Sequence, residues 1–86
     1  MTILKHDTSI PLHQQLSETL RRDIQTGKYT PGQKIPTEME LSNIYGVSRV
    51  TIRSALDSLV KSGLLIRKRG KGTFVAYSRM SRSIAN

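Results

Sequence analysis

The stretch from Thr37 to Ser48 opens one helix, closes it and opens another with almost no chain between them, and this constrains the fold more than any other feature. Thr37 followed three residues later by Glu40 is a capping box: hydroxyl and carboxylate each satisfy a backbone N–H that a starting helix leaves without a partner. Gly46 ends that helix after about two turns, and Ser48 is a good N-cap for the next. Two helices joined by so tight a glycine-containing turn form a helix-turn-helix.

The flanking segments complete a small core. Leu41, Ile44 and Tyr45 are expected on one face of the short helix. The longer helix runs to about Ser62, with Gly63 as its stop, and Ile52, Ala55, Leu56, Leu59 and Val60 form its core-facing stripe. Upstream, Leu12, Leu16, Leu20 and Ile24 recur every fourth residue and predict a first helix over 11–26, with Ser9 as candidate cap, Pro11 in its first turn and Gly27 as its stop. Tyr29 to Gly32 reads as a turn, and Lys34-Ile35-Pro36 as a short extended piece, because the residue before a proline is pushed out of the helical region. Downstream, Leu64-Leu65-Ile66 and Thr73-Phe74-Val75 read as strands joined by the turn Arg69-Gly70-Lys71-Gly72. The expected fold is α+β, a winged helix-turn-helix of three helices and a short β-hairpin wing over 11–76. A flexible arm at 1–10 precedes it and a Ser- and Arg-rich linker at 77–86 follows.

Charge then separates the halves of the chain. Residues 1–48 hold as many acids as bases, whereas 49–86 hold nine bases and the single acid Asp57, so the whole net charge of +8 lies in the second part. Such an asymmetry points to a polyanionic partner. At about 100° per residue, the apolar stripe of the third helix forces Val50 and Arg53 to the opposite side, with Arg49 at the boundary. The first turns of the second helix of such a pair enter the DNA major groove. There arginine can fork onto guanine or a phosphate and valine can meet a thymine methyl. The hydroxyls of Ser48 and Thr51 suit phosphate. Arg53 could instead form a surface pair with Asp57 one turn on, as helices commonly do. In the hairpin, Arg67, Lys68, Arg69 and Lys71 crowd around Gly70 and Gly72. A solvated tip needs one glycine and no such charge, whereas a wing on phosphates or in the minor groove uses both. Met39 is expected to be exposed near the backbone of a bound duplex, and Tyr29, Tyr45 and Phe74 to pack rather than stack on bases.

Other classes find little support. A chain of 86 residues has no room for a deep cavity and the scaffold to hold it. Cysteine is absent, which excludes disulfides and thiolate chemistry and suits a cytoplasmic protein. His6 and His13 have no ligand-like companions, no acids are paired, and Lys71-Gly72-Thr73 lacks the glycine pattern of a phosphate loop. The expectation is a chain that is no enzyme and uses no metal, cofactor or membrane span.

Residues 31–75, PGQKIPTEMELSNIYGVSRVTIRSALDSLVKSGLLIRKRGKGTFV, resemble the DNA-binding domain of the GntR family, and the opening SIPLHQQLSETLRRDIQTGKY resembles in particular its HutC subgroup. The resemblance implies a transcription regulator, in most cases a repressor of a metabolic operon, that binds a palindromic double-stranded DNA operator as a homodimer. It also implies a C-terminal domain sensing a small metabolite. No such domain follows Asn86, which fits an isolated domain or fragment. By position, Arg49, Val50, Thr51 and Arg53 correspond to the family's recognition-helix contacts, and Arg69 and Gly70 to its wing-tip contacts. Thr37 and Met39 fall at the start of the second helix, and Met39 stands where the family often has a DNA-touching arginine. That departure implies a different operator preference. A winged helix used for protein contact would rarely require the basic charge, and the family-like wing speaks against an accessory domain of a nucleic-acid enzyme.

Overall fold

In a computed structural model, residues 10–77 are described and form three helices, α1 (Leu12–Gln25), α2 (Glu38–Tyr45) and α3 (Arg49–Lys61), followed by strands β1 (Leu65–Lys68) and β2 (Gly72–Val75). The order is the expected one, three helices and a hairpin. Except for Ile10, the expected arm lies outside the described residues, as do the candidate cap Ser9 and the linker from residue 78 onward. Pro11 is the N-cap of α1 rather than its first residue, and its own side chain makes no capping bond.

The core is the sum of the predicted stripes. Leu16 and Leu20 of α1, Leu41 of α2, and Ile52, Ala55, Leu56 and Leu59 of α3 are fully or almost fully buried, and both other helices lie against α3. Leu12, Ile24, Tyr45 and Val60 pack at the margin. Ser17 and Thr19 are buried as well, and their hydroxyls donate to the carbonyls of Gln14 and Gln15 one turn back at 3.0 Å each. Paired in this way, they avoid the penalty of a buried polar group without a partner.

Ile44 departs from expectation: it is 62% exposed. The eight-residue α2 turns a narrow face to α3, along the line from Leu41 to Tyr45. Ile44 stands about 80° off that line at the helical pitch. Local spacing placed it within reach of the buried face, but so short a helix does not bury so wide an arc.

The turn that joins α2 to α3 is built by its own residues. Both halves of the capping box form: Thr37 Oγ1 accepts from the Glu40 N–H at 3.1 Å, and Glu40 Oε1 accepts from the Thr37 N–H at 2.8 Å. Gly46 takes φ 69°, ψ 35°, a left-handed conformation in which a Cβ would be strained by about 1–2 kcal/mol. The Ser42 hydroxyl then donates to the carbonyl of Val47, which is itself buried, and fixes the chain direction entering α3. Behind the turn, burial and then the nearby Asp23 carboxylate push the Tyr45 hydroxyl up to about 12.

The strands pair antiparallel, Leu65 opposite Val75 and Lys68 opposite Gly72. Leu65 and Val75 face inward and are buried, closing the core beneath α3. The extended piece before α2 joins this sheet. The Ile35 N–H donates to the Thr73 carbonyl, and the Val75 N–H donates to the Gln33 carbonyl, both at 2.9 Å. Lys34 thereby bridges to Phe74, and the chain leading into α2 is tied to the wing.

Candidate nucleic-acid interface

Ser48 organises the exposed end of α3. Its hydroxyl accepts from the Thr51 N–H at 3.2 Å and lies 3.0 Å from the Thr51 hydroxyl, so the two side chains hold the first turn together. Beyond that cap Arg49, Val50 and Arg53 all project into solvent, as the angular argument requires, and Val50 is 67% exposed. An apolar side chain so exposed between two arginines has no packing role here.

A cleft of about 570 Å³ opens between the start of α2, the start of α3 and the wing. Of the residues singled out from the sequence, Thr37 and Met39 line it from α2, Arg49 from α3, and Arg67, Lys68, Arg69, Gly70 and Gly72 from the wing. Ser48, Val50, Thr51 and Arg53 are not among its walls; they lie along the first turns of α3. Lys71 sits in the exposed turn of the hairpin. Met39 is 57% exposed, as expected. A second groove, between α1 and α3, is lined by both signs of charge, including Glu18, Arg21, Asp57 and Lys61.

The pairing of charges differs from what spacing suggests. Arg53 does not bond to Asp57. Its Nη2 and Nε donate to Glu38 at 3.2 and 3.4 Å. Asp57 accepts instead from Arg67 of β1, whose other nitrogen lies 4.0 Å from Glu38. The reason is tertiary. Arg67 shares the inward face of β1 with Leu65, so the strand aims it at α3, while the packing of α2 sets Glu38 beside Arg53. Four side chains from three elements thus form a network with no net formal charge. All four are at least 30% exposed, so each pair adds only about 0.2–1 kcal/mol to stability.

Two of the wing's four cations have partners within the fold, and only one of those is neutralised by acids. Arg67 is engaged with the acids, and the Lys68 ammonium lies over the Phe74 ring, 4.9 Å from its centroid. Arg69 and Lys71 are exposed and, among the described residues, have no ion-pair partner. The packing residues behave as expected: Tyr29 is buried, and Tyr45 and Phe74 are partly so.

Two residues of this surface escaped the sequence reading. Lys34 lies across the wing at Gly72, where a Cβ would stand 2.6 Å from Lys34 Cε, and its side chain adds a cation to the cleft. Gly72 itself has φ 125°, so its backbone favours glycine, whereas the flexible Lys34 side chain could move aside. Glu38 is the other. In sequence it is one more acid in a first helical turn; only the packing of α2 reveals its partners.

Chemically the surface offers guanidinium and ammonium donors, hydroxyls and one exposed methyl pair. Among the described residues there is no cluster of three or more side chains able to hold a metal, and no helix is long and apolar enough to cross a membrane.

Comparison with known proteins bears on the fold and the family. The family model described as bacterial regulatory proteins, gntR family, matches residues 12–75. The probable fructoselysine utilization operon transcriptional repressor of Escherichia coli (strain K12) is 49% identical over 76 residues, covering 84% of this chain and 31% of that protein. The histidine utilization repressor of Pseudomonas putida is 42% identical over 66 residues, covering 77% and 26%. The crystal structure of AraR(DBD) in complex with operator ORE1 superposes with a TM-score of 0.77 at 46% identity, covering 88% of this chain and 93% of that one. The chain spans about a third of the length of the curated relatives it matches.

Proposed function

The chain belongs to the gntR family of bacterial regulatory proteins, and from that premise we propose that it reads a double-stranded DNA operator to repress transcription. The observation that carries the reading is Val50, exposed between Arg49 and Arg53 on the capped end of the second helix of the helix-turn-helix. In the major groove a valine methyl meets a thymine methyl and the flanking arginines reach base edges or phosphates. Ser48 and Thr51 receive a phosphate at the helix start. Thr37 keeps its hydroxyl hydrogen free to donate beside Met39, because its oxygen is used as the acceptor in the cap. Arg69, Gly70, Lys71 and Gly72 follow the adjacent backbone or minor groove, with Arg67 and Lys68 behind them.

The wider assignment follows the same line. Two copies bind the halves of a palindromic operator, and a further domain of the full regulator binds a small metabolite, as in the HutC subgroup. The regulator acts in the cytoplasm, where its DNA is. The likeness to a histidine utilization repressor supports that subgroup.

Selection of bound duplexes from a random pool tests the reading. The enriched sequences should share an inverted repeat, each half spanning a few base pairs. A pool that stays without a common motif while remaining bound would reduce this protein to a non-specific polyanion binder.

A further inference from the structure

We propose that Glu38 is a positioning residue for specificity: its carboxylate braces Arg53 so that the guanidinium meets the DNA end-on, in one orientation. This rests on the proposed reading of α3 as the base-reading helix.

The geometry of the pair carries the argument. A guanidinium has five N–H groups in a rigid plane, arranged so that two of its edges can each grip a pair of acceptors. Glu38 occupies the side edge, accepting from Nη2 on Oε1 and from Nε on Oε2. The end edge, formed by Nη1 and the second hydrogen of Nη2, remains open. That edge matches the O6 and N7 acceptors of guanine.

Glu38 is itself held in place. It stands in the first turn of α2, directly after the Thr37 cap, and Arg67 also approaches Oε2, at 4.0 Å. Arg67 is anchored in turn by Asp57. An exposed arginine without such a brace would sample many rotamers and find phosphates as readily as bases.

The placement of the charge supports the same conclusion. Glu38 lines a cleft whose other charged walls, Lys34, Arg49, Arg67, Lys68 and Arg69, are all cationic. A surface built only to attract phosphates gains nothing from a carboxylate there, since like charges repel. Stabilising the positive end of the α2 dipole would explain an acid in that turn, but Glu40 already supplies one.

The test uses Glu38→Gln and Glu38→Asp, each alone and combined with Arg53→Ala, titrated against the duplex selected by the wild-type protein and against a scrambled one. Melting curves confirm that each variant is folded. With Arg53 present, both variants should lower the ratio of specific to scrambled affinity by about tenfold, the scale of one forked base contact. Glu38→Gln should bind the scrambled duplex as well as the wild type or a few-fold better, because a repulsive charge has gone. In the Arg53→Ala background the same changes should alter the ratio by less than about twofold, as expected of residues coupled through one contact.

Equal weakening on both duplexes would make Glu38 a structural residue and overturn the proposal. So would a Glu38→Asp variant that discriminates like the wild type, since aspartate keeps the helix-end charge but cannot reach as far. Loss of discrimination that persists without Arg53 would show that Glu38 acts elsewhere. A wild-type protein that cannot tell the two duplexes apart would refute the operator reading itself, a failure visible before any variant is measured.

Discussion

Added salt distinguishes cations that are free to meet phosphates from cations already neutralised within the fold. Seven basic residues lie on or beside the proposed DNA-facing surface, but Arg53 and Arg67 are matched by Glu38 and Asp57. Lys34, Arg49, Lys68, Arg69 and Lys71 remain. If each displaces one condensed counterion from the duplex, the slope of log affinity against log salt is about −4.5 per bound domain, at about −0.9 per phosphate. Raising salt fourfold, from about 50 to 200 mM, should then weaken binding roughly 500-fold. Fluorescence anisotropy with a labelled scrambled duplex just long enough for one domain measures the slope without the complication of base contacts. Lys71→Ala should flatten it by about 0.9, because that lysine stands in the hairpin turn with no ion-pair partner among the described residues. A slope of about −6 or steeper would mean that both arginines leave their carboxylates for phosphates, and the neutral network would not survive binding. A slope shallower than about −2 would remove the cleft and wing from the phosphate-binding surface altogether.

Two further outcomes concern the scaffold behind the site. Ser48→Ala removes the cap that holds the start of α3 and should cost about 1 kcal/mol, a fall in Tm of roughly 4–8 °C by circular dichroism; an unchanged Tm would show that the Ser48–Thr51 bonds contribute nothing. The Tyr45 hydroxyl, held near 12 against an ordinary 10, favours its neutral form in the fold, so its contribution is complete below pH 10 and is lost as pH rises through 12. Urea midpoints should therefore fall less between pH 10 and 12 for Tyr45→Phe than for the wild type, and parallel declines would show that the phenol is not perturbed.

Features set by residues within about one helical turn of each other were legible in the sequence. The capping box at Thr37 and Glu40, the left-handed Gly46 and the Ser48 cap are complete in a few residues, and each forms as read. The stripes on α1 and α3 were equally plain, because several turns repeat the same angular message. Ile44 was misread for the opposite reason: an eight-residue helix repeats nothing, and one apolar residue off the buried line looks like one on it. Charge partners were the least legible. The spacing of Arg53 and Asp57 suggested a local pair, but Glu38, distant in sequence, is the residue that packing places beside Arg53. Lys34 was hidden in the same way, since it reaches the wing only because its strand pairs with β2.

The division of charge along the chain nevertheless predicted a basic surface, and the fold explains why. Folding carries one acid, Glu38, out of the neutral first part into the cleft and leaves it between Arg53 and Arg67. It carries one base, Lys34, the same way, because the segment that delivers Glu38 at the start of α2 is the one that pairs with the wing. The exchange cancels in net charge but not in position. The acid takes up the side edge of one arginine, while the base joins the exposed cations on the rim. A count by sequence therefore gives the right sign for the surface and the wrong identity for its free charges. On the proposed reading, specificity and electrostatic attraction fall to different residues, the first to Arg53 held by Glu38 and the second to the lysines and arginines that no carboxylate restrains.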